Sequence, residues 1–314
     1  MSNPFLPEGH LLDTPENQRI CASLAALQRS VETETILEGR AVLCTPEHDL
    51  VVSVGNLTGI IPREEAALGI REGTTREIAI LSKVGKPVAF VVTGVDMSDR
   101  SPMLTLSRRR AQERALWYLL HHTPMRSVLP ATVTHLENFG AFVDIGCGVV
   151  SMVGIENISV SRISHANRRF TVGQHIYVLL TGTDPVKGRV FLSHKELLGT
   201  WTENAALFAP GMTVPGYVRG IKDYGAFIEL APNLTGLADH TEELLEDDRV
   251  SVYIKSIIPE RMKIKLLVIH RLESEKSPPR LHYYVTSGIY PSWRYPPRNY
   301  TEREGSQNFS TLFL

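Results

Sequence analysis

Short apolar runs, broken by glycine, proline and charged turns, dominate this chain. In Lys263-Ile264-Lys265-Leu266 polar and apolar residues alternate, so both lysines project from the strand face opposite Ile264 and Leu266. Runs at 128–136, 139–145, 149–155, 174–181 and 189–193 predict five short strands. Gly140 and Gly146 stand where a coiled strand must bend. Five such strands with glycine-rich turns predict a small closed barrel of the OB type. A longer period, with Ala111, Ala115, Leu116, Leu119 and Leu120 on one side, predicts a helix over Ser107–His122, stopped by Pro124. Leu197, Leu198, Trp201, Ala205 and Leu207 predict a second over Ser193–Phe208, closed by Pro210. Thr14-Pro15-Glu16 reads as a helix start.

The barrel is repeated. Phe139-Gly140-Ala141-Phe142-Val143-Asp144-Ile145 matches Tyr224-Gly225-Ala226-Phe227-Ile228-Glu229-Leu230 by residue type, at an offset of 85. The last strands match at an offset of 74, so the third repeat lacks 11 residues of the central loop, the stretch holding Arg162, His165, Arg168 and Arg169. A first repeat spans about 35–107, with strands near Leu37–Val42, Val51–Gly55, Gly59–Pro62 and Leu104–Ser107; His48 and Val51 take the places of Phe139 and Phe142. The expected architecture is mainly β: three tandem five-stranded OB-fold barrels joined by short helices, with an irregular C-terminal tail. The boundaries read as an N-terminal helical extension (1–33), a degenerate repeat (34–107), a helical linker (108–124), a second repeat (125–195), a linker (196–210), a third repeat (211–272) and a tail (273–314). That tail is proline-rich, and its tyrosines and Trp293 predict a few docked turns within a poorly ordered segment.

Composition narrows the chemistry. A formal net charge of −1 excludes a global basic field, so any nucleic-acid binding must be local. The three cysteines are scattered without CxxC pairs, which argues against a zinc site or a disulfide framework. The 11 histidines form no Ser/Cys–His–acid pattern. No enzyme, metal or cofactor is therefore expected. The N-terminus lacks a signal-peptide pattern and no run of 18 apolar residues occurs, which predicts a cytoplasmic protein with no membrane partner.

Exposed aromatics on a small barrel are what unpaired bases stack upon. Phe139 and Phe142, then Tyr224 and Phe227, are the candidate rings. Each pair is three residues apart, so the two rings share a face only with a bulge, expected at Gly140-Ala141. Candidate phosphate contacts are Arg168, Arg169, Lys187, Arg189, His194 and Lys195 in the second repeat and Lys222, Lys263 and Lys265 in the third. Residues 125–200 carry a net +2 and residues 34–106 a net −3. The second repeat thus reads as the main RNA binder. The first, acidic and without the rings, reads as a protein-docking module. Glu242-Glu243 and Glu246-Asp247-Asp248 weaken the third.

Phe139–Phe142, Gly236-Leu237, Val172-Gly173 and Leu192-Ser193-His194-Lys195 together resemble the repeated RNA-binding module of the bacterial ribosomal protein S1 family, over about 35–270. The resemblance implies a short form with three repeats, no enzymatic activity, single-stranded RNA or mRNA as ligand, and docking on the 30S ribosomal subunit. It assigns stacking to the second-strand aromatics, and backbone contact to Arg189 and Lys263; the first repeat has Met103 there. A strand-three histidine common in the family is replaced by Gly154 and Asp239. Two other readings stay open: a regulatory or scaffold protein using its barrels for protein contacts, and an accessory factor of RNA degradation.

Overall fold

The computed structural model describes residues 4–98, 102–239, 244–273, 278, 280–290 and 292–300. Two helices open the chain, α1 (Pro15–Cys21) and α2 (Leu24–Thr33). Each is capped by a hydroxyl: Thr14 accepts from the Asn17 amide, with Pro15 in the first turn, and Ser23 accepts from Ala26. The first barrel follows, from β1 (Leu37–Cys44), β2 (Leu50–Val54), β3 (Leu57–Ile61), the single turn α3 (Ile78–Leu81), β4 (Pro87–Asp96) and β5 (Met103–Ser107). Alternate residues point inward, Leu50, Val52 and Val54 from β2 and Leu104 and Leu106 from β5, and meet Phe90 in a closed core.

Helix α4 (Arg108–His121) leads to the second barrel: β6 (Val128–Glu137), β7 (Gly140–Asp144), β8 (Val150–Gly154), β9 (His175–Asp184) and β10 (Arg189–Ser193). The predicted second linker helix is broken. A 3-10 turn covers Lys195–Leu198, Gly199 interrupts at φ +82°, and α5 (Trp201–Ala205) restarts behind a Thr200–Glu203 capping box. A β-carbon at Gly199 would lie 2.6 Å from the Tyr284 ring, so close packing as well as backbone conformation requires glycine there. The third barrel comprises β11 (Thr213–Lys222), β12 (Gly225–Ala231), β13 (Leu234–Ala238), β14 (Arg249–Ile258) and β15 (Lys263–Arg271).

All three barrels share one cyclic strand order, first-second-third-fifth-fourth. The third and fifth strands run parallel where their register is seen, β3 with β5 and β13 with β15. This is the five-stranded Greek-key barrel of OB folds. The chain divides into two compact units whose boundary runs through the second barrel: 1–135, 142–152 and 172–192 form one; 136–141, 153–171 and 193–314 form the other.

Each unit has a buried polar lock. In the first, the segment Phe5–Leu12 is held by side chains. Glu38 accepts from the amides of Gly9, Leu11 and Leu12, and Asp144 accepts from that of Glu8 at 2.8 Å. The Glu8 carboxylate meets Arg108 at 2.6 Å and Lys83 at 2.6 Å. In the second unit, the described part of the tail is irregular but packed: Tyr295 is buried with its hydroxyl donating to Asn233 O, and Tyr284 N–H donates to Leu197 O. Residues 274–277, 279, 291 and 301–314 lie outside the described residues. No helix among the described residues is long and apolar enough to cross a membrane.

Candidate nucleic-acid interface

In the third barrel the paired rings arise from a turn, with no bulge between them. Asp223 and Tyr224 form the turn between β11 and β12, and the register runs unbroken through Lys222↔Gly225, Ile221↔Ala226 and Gly220↔Phe227. The irregularity lies on β11, between Val218 and Gly220. Tyr224 is thus carried on a hairpin tip and is 67% exposed, while Phe227 is half-buried on the strand. Their centroids are 6.1 Å apart at 87°, an edge-to-face pair. The glycine between them is required by close approach: a β-carbon at Gly225, whose φ is +149°, would sit 2.3 Å from Ala238 O. Gly140 stands in the same relation to Val153 O, at 2.4 Å.

From Phe227 an outward row crosses the sheet. Leu237 pairs with Phe227, and Lys265 pairs with Leu237. Lys263 and Lys265 are exposed while Ile264 and Leu266 are buried, as the alternation requires. Lys222 is exposed at the end of β11. In the second barrel Phe139 occupies the turn before β7 and is 52% exposed, and Phe142 is half-buried on β7. Lys187 and Arg189 are exposed in the turn before β10 and at its start. Two outward side chains escaped the reading of the sequence. His135 on β6 is exposed with its ring 6.2 Å from that of Phe142, and Phe191 on β10 is half-exposed. The period-two argument used for Lys263 and Lys265 finds Phe191; nothing in the sequence points to His135.

The structure buries three of the candidate basic contacts and pairs a fourth, exposed one with an acid. Arg169 is fully buried and donates from both terminal nitrogens to Glu229, at 2.7 and 2.9 Å. Arg219 reaches the same carboxylate at 2.8 Å and Asp247 at 2.6 Å. Burial alone would raise the Glu229 carboxyl, but the two guanidiniums outweigh it and hold it below its ordinary value. Arg168, though exposed, is paired with Asp247 at 2.8 Å. His194 is buried, and burial lowers its pKa to about 4; its neutral ring lies between Ile158 O at 2.6 Å and the Tyr283 hydroxyl at 2.9 Å. Lys195 is also buried, with Nζ donating to Glu156 O. Two of the three arginines in the loop that looked like a basic patch are therefore matched by acids about 60 and 80 residues away.

With the barrels and rings in place, the comparisons fall on the same segment. Residues 126–195 match the family model described as the S1 RNA binding domain. The chain is 30% identical over 232 residues to the small ribosomal subunit protein bS1 of Leuconostoc lactis, covering 69% of this chain and 52% of that protein. Over about two thirds of its length the chain is thus similar in sequence to bacterial ribosomal protein S1. A bS1 homolog of Bacillus subtilis is 29% identical over 67% of this chain and 54% of its own length, and the bS1 of Staphylococcus aureus 26% identical over 81% and 66%. The chain spans about half the length of the first two relatives.

At the end of the third strand, where the sequence reading looked for a histidine, the second and third barrels have Gly154 and Asp239. A side chain at Gly154 would lie 2.4 Å from a Glu156 carboxylate oxygen, so that carboxylate fills the space, and Asp239 is paired with Lys255 at 3.0 Å. In the first barrel, His48 sits in a left-handed backbone position 3.5 Å from Glu77, Val51 is half-buried, and Met103 is exposed at the start of the closing strand.

Proposed function

We propose that this chain holds single-stranded RNA on the outer faces of its second and third barrels and acts in translation at the small ribosomal subunit. Bases stack on Phe139 and Phe142 and on Tyr224 and Phe227. Lys187 and Arg189 in one barrel, and Lys222, Lys263 and Lys265 in the other, meet phosphates. The observation that carries this reading is the recurrence, 85 residues apart, of an exposed ring on a hairpin tip and a second ring on the following strand, beside outward basic residues of the closing strand. The names of the relatives support the ribosomal half of the reading. The first barrel, net −3 over 34–106 and with His48 and Val51 in place of the rings, docks on protein instead.

Fluorescence anisotropy with an unstructured RNA tests the stacking. The double variants Phe139→Ala/Phe142→Ala and Tyr224→Ala/Phe227→Ala should each lose about 1–3 kcal/mol per base released. Affinity should also fall with added salt. Undiminished affinity in both variants would sink the stacking reading. Co-sedimentation with ribosomal subunits, with and without nuclease, tests the docking role.

A further inference from the structure

We propose that the second barrel carries a third stacking ring, Phe191, which with Met152 extends its RNA track across the closing strand to one more base than the third barrel holds. The proposal rests on the RNA-binding reading above and adds a residue and a footprint to it. On β10, Val190 and Leu192 are buried while Arg189 and Phe191 are exposed, Phe191 by 50%. The inward positions of this strand already fill the core, so the ring contributes nothing there.

Its setting is that of a platform. Phe191 lies over Gly182 of β9: a β-carbon at 182 would fall 3.2 Å from its Cδ2 and 3.8 Å from its Cγ. The glycine lets the ring lie low against the neighbouring strand, supported on one side and open on the other. An aromatic ring has only two side-chain torsions to immobilise, so holding it ready for a base costs little entropy.

The neighbours form a continuous surface. Strands β10, β8 and β7 are adjacent in the barrel, and Ser151 Oγ donates to Val190 O at 2.6 Å. In the third barrel the corresponding outward row is Phe227, Leu237 and Lys265. The repeat offsets put Phe142, Met152 and Phe191 in those places. Met152 is 41% exposed and Val150 50%. Phe142 and Phe191 are thus two strand spacings apart, roughly 10 Å, with a polarizable methionine between them. Arg189, two residues before Phe191 on the same face, supplies a charge for the backbone. The third barrel has Lys265 at this position and the first has Thr105, so only the second offers a ring there.

The test uses the full chain and unstructured oligouridylates of graded length, read by anisotropy. Phe191→Ala should weaken binding roughly 5- to 150-fold without changing the salt slope, because no charge is removed. Phe191→Tyr should restore affinity to within about twofold of the parent, since it keeps the π-face. In Phe191→Trp, the added indole fluorescence should be quenched when RNA binds, a signal that a purely structural role would not produce. If Phe142→Ala weakens binding while Phe191→Ala does not, this proposal is overturned and the RNA reading stands. If the parent chain binds no oligomer, both fall. Loss of a protein contact with RNA affinity intact would assign Phe191 to a protein interface instead. Phe191 is half-exposed, and a melting curve of each variant separates misfolding from lost stacking.

Discussion

Asp144 in the second barrel and Glu229 in the third occupy the same place in the repeat, two residues after the second ring, yet they hold opposite electrostatic roles. Glu229 receives two guanidiniums and is kept ionised. Among the described residues Asp144 receives backbone amides alone, from Glu8, Gly146 and Gly148, and it lies beside the Glu8 carboxylate. Burial first, and then Glu8, push its pKa up to about 6. Glu38 behaves likewise: burial raises it to about 7 against three amide donors, and its second oxygen is buried without a partner. Glu8 itself is brought down to about 2, because Arg108 and Lys83 outweigh its burial. The repeat carries an acid at this position in both barrels; the groups packed on it decide whether its pKa is pushed down or up.

The largest test of this contrast is Glu229→Ala. It strands Arg169, fully buried, beside Arg219, and should cost the second unit about 3–5 kcal/mol. Hydrogen exchange read peptide by peptide should show the loss over 153–171 and the third barrel, with the first barrel unchanged. Protection that survives in full would mean the lock is not energetically coupled.

The pH response should be smaller and of opposite character in the first unit. Asp144 and Glu38 bind protons more tightly folded than unfolded, so their contribution weakens as pH rises, from about 3.8 to 6 for one and 4.5 to 7 for the other. Each changes stability by at most about 1.4 kcal/mol per pH unit inside its window. Exchange protection of Phe5–Leu12 should therefore increase between pH 7 and 5.5, and Glu38→Gln should flatten that slope. Glu229, lowered rather than raised, contributes stability that persists across this range and is lost only at lower pH. A slope of the other sign, or one that Glu38→Gln leaves intact, would refute the assignment.

The smallest effect should come from Arg168→Ala. Its partner is Asp247 too, but the pair is surface-exposed, and about 0–1 kcal/mol is expected in the same exchange measurement. A cost near that of Glu229→Ala would erase the distinction between adjacent arginines on which the buried lock rests.

Much of this was readable before any coordinates. The alternation in Lys263–Leu266 placed the inward and outward sides of the third barrel's closing strand, and the matched runs located the aromatic pairs. Local rules were less informative where a position depends on a distant partner. Arg169 and Arg189 have the same side chain and the same repeat, but one meets Glu229 60 residues away and the other meets solvent. His194 and Lys195 looked like part of a surface motif, whereas burial makes them structural. The Ser193–Phe208 helix failed for a similar reason: Tyr284, far along the chain, packs where a side chain at position 199 would stand.

By itself the sequence determined the number of barrels, their strands and the two aromatic pairs, because these follow from side-chain periodicity and repetition, which are local properties. Only the tertiary structure decided which charges remain on the surface, that the first ring of each pair rides a hairpin tip, and which buried carboxyls have their pKa raised and which lowered. Those outcomes depend on the distance between residues remote in the chain and on how much water is excluded around them, and neither quantity is written in local sequence.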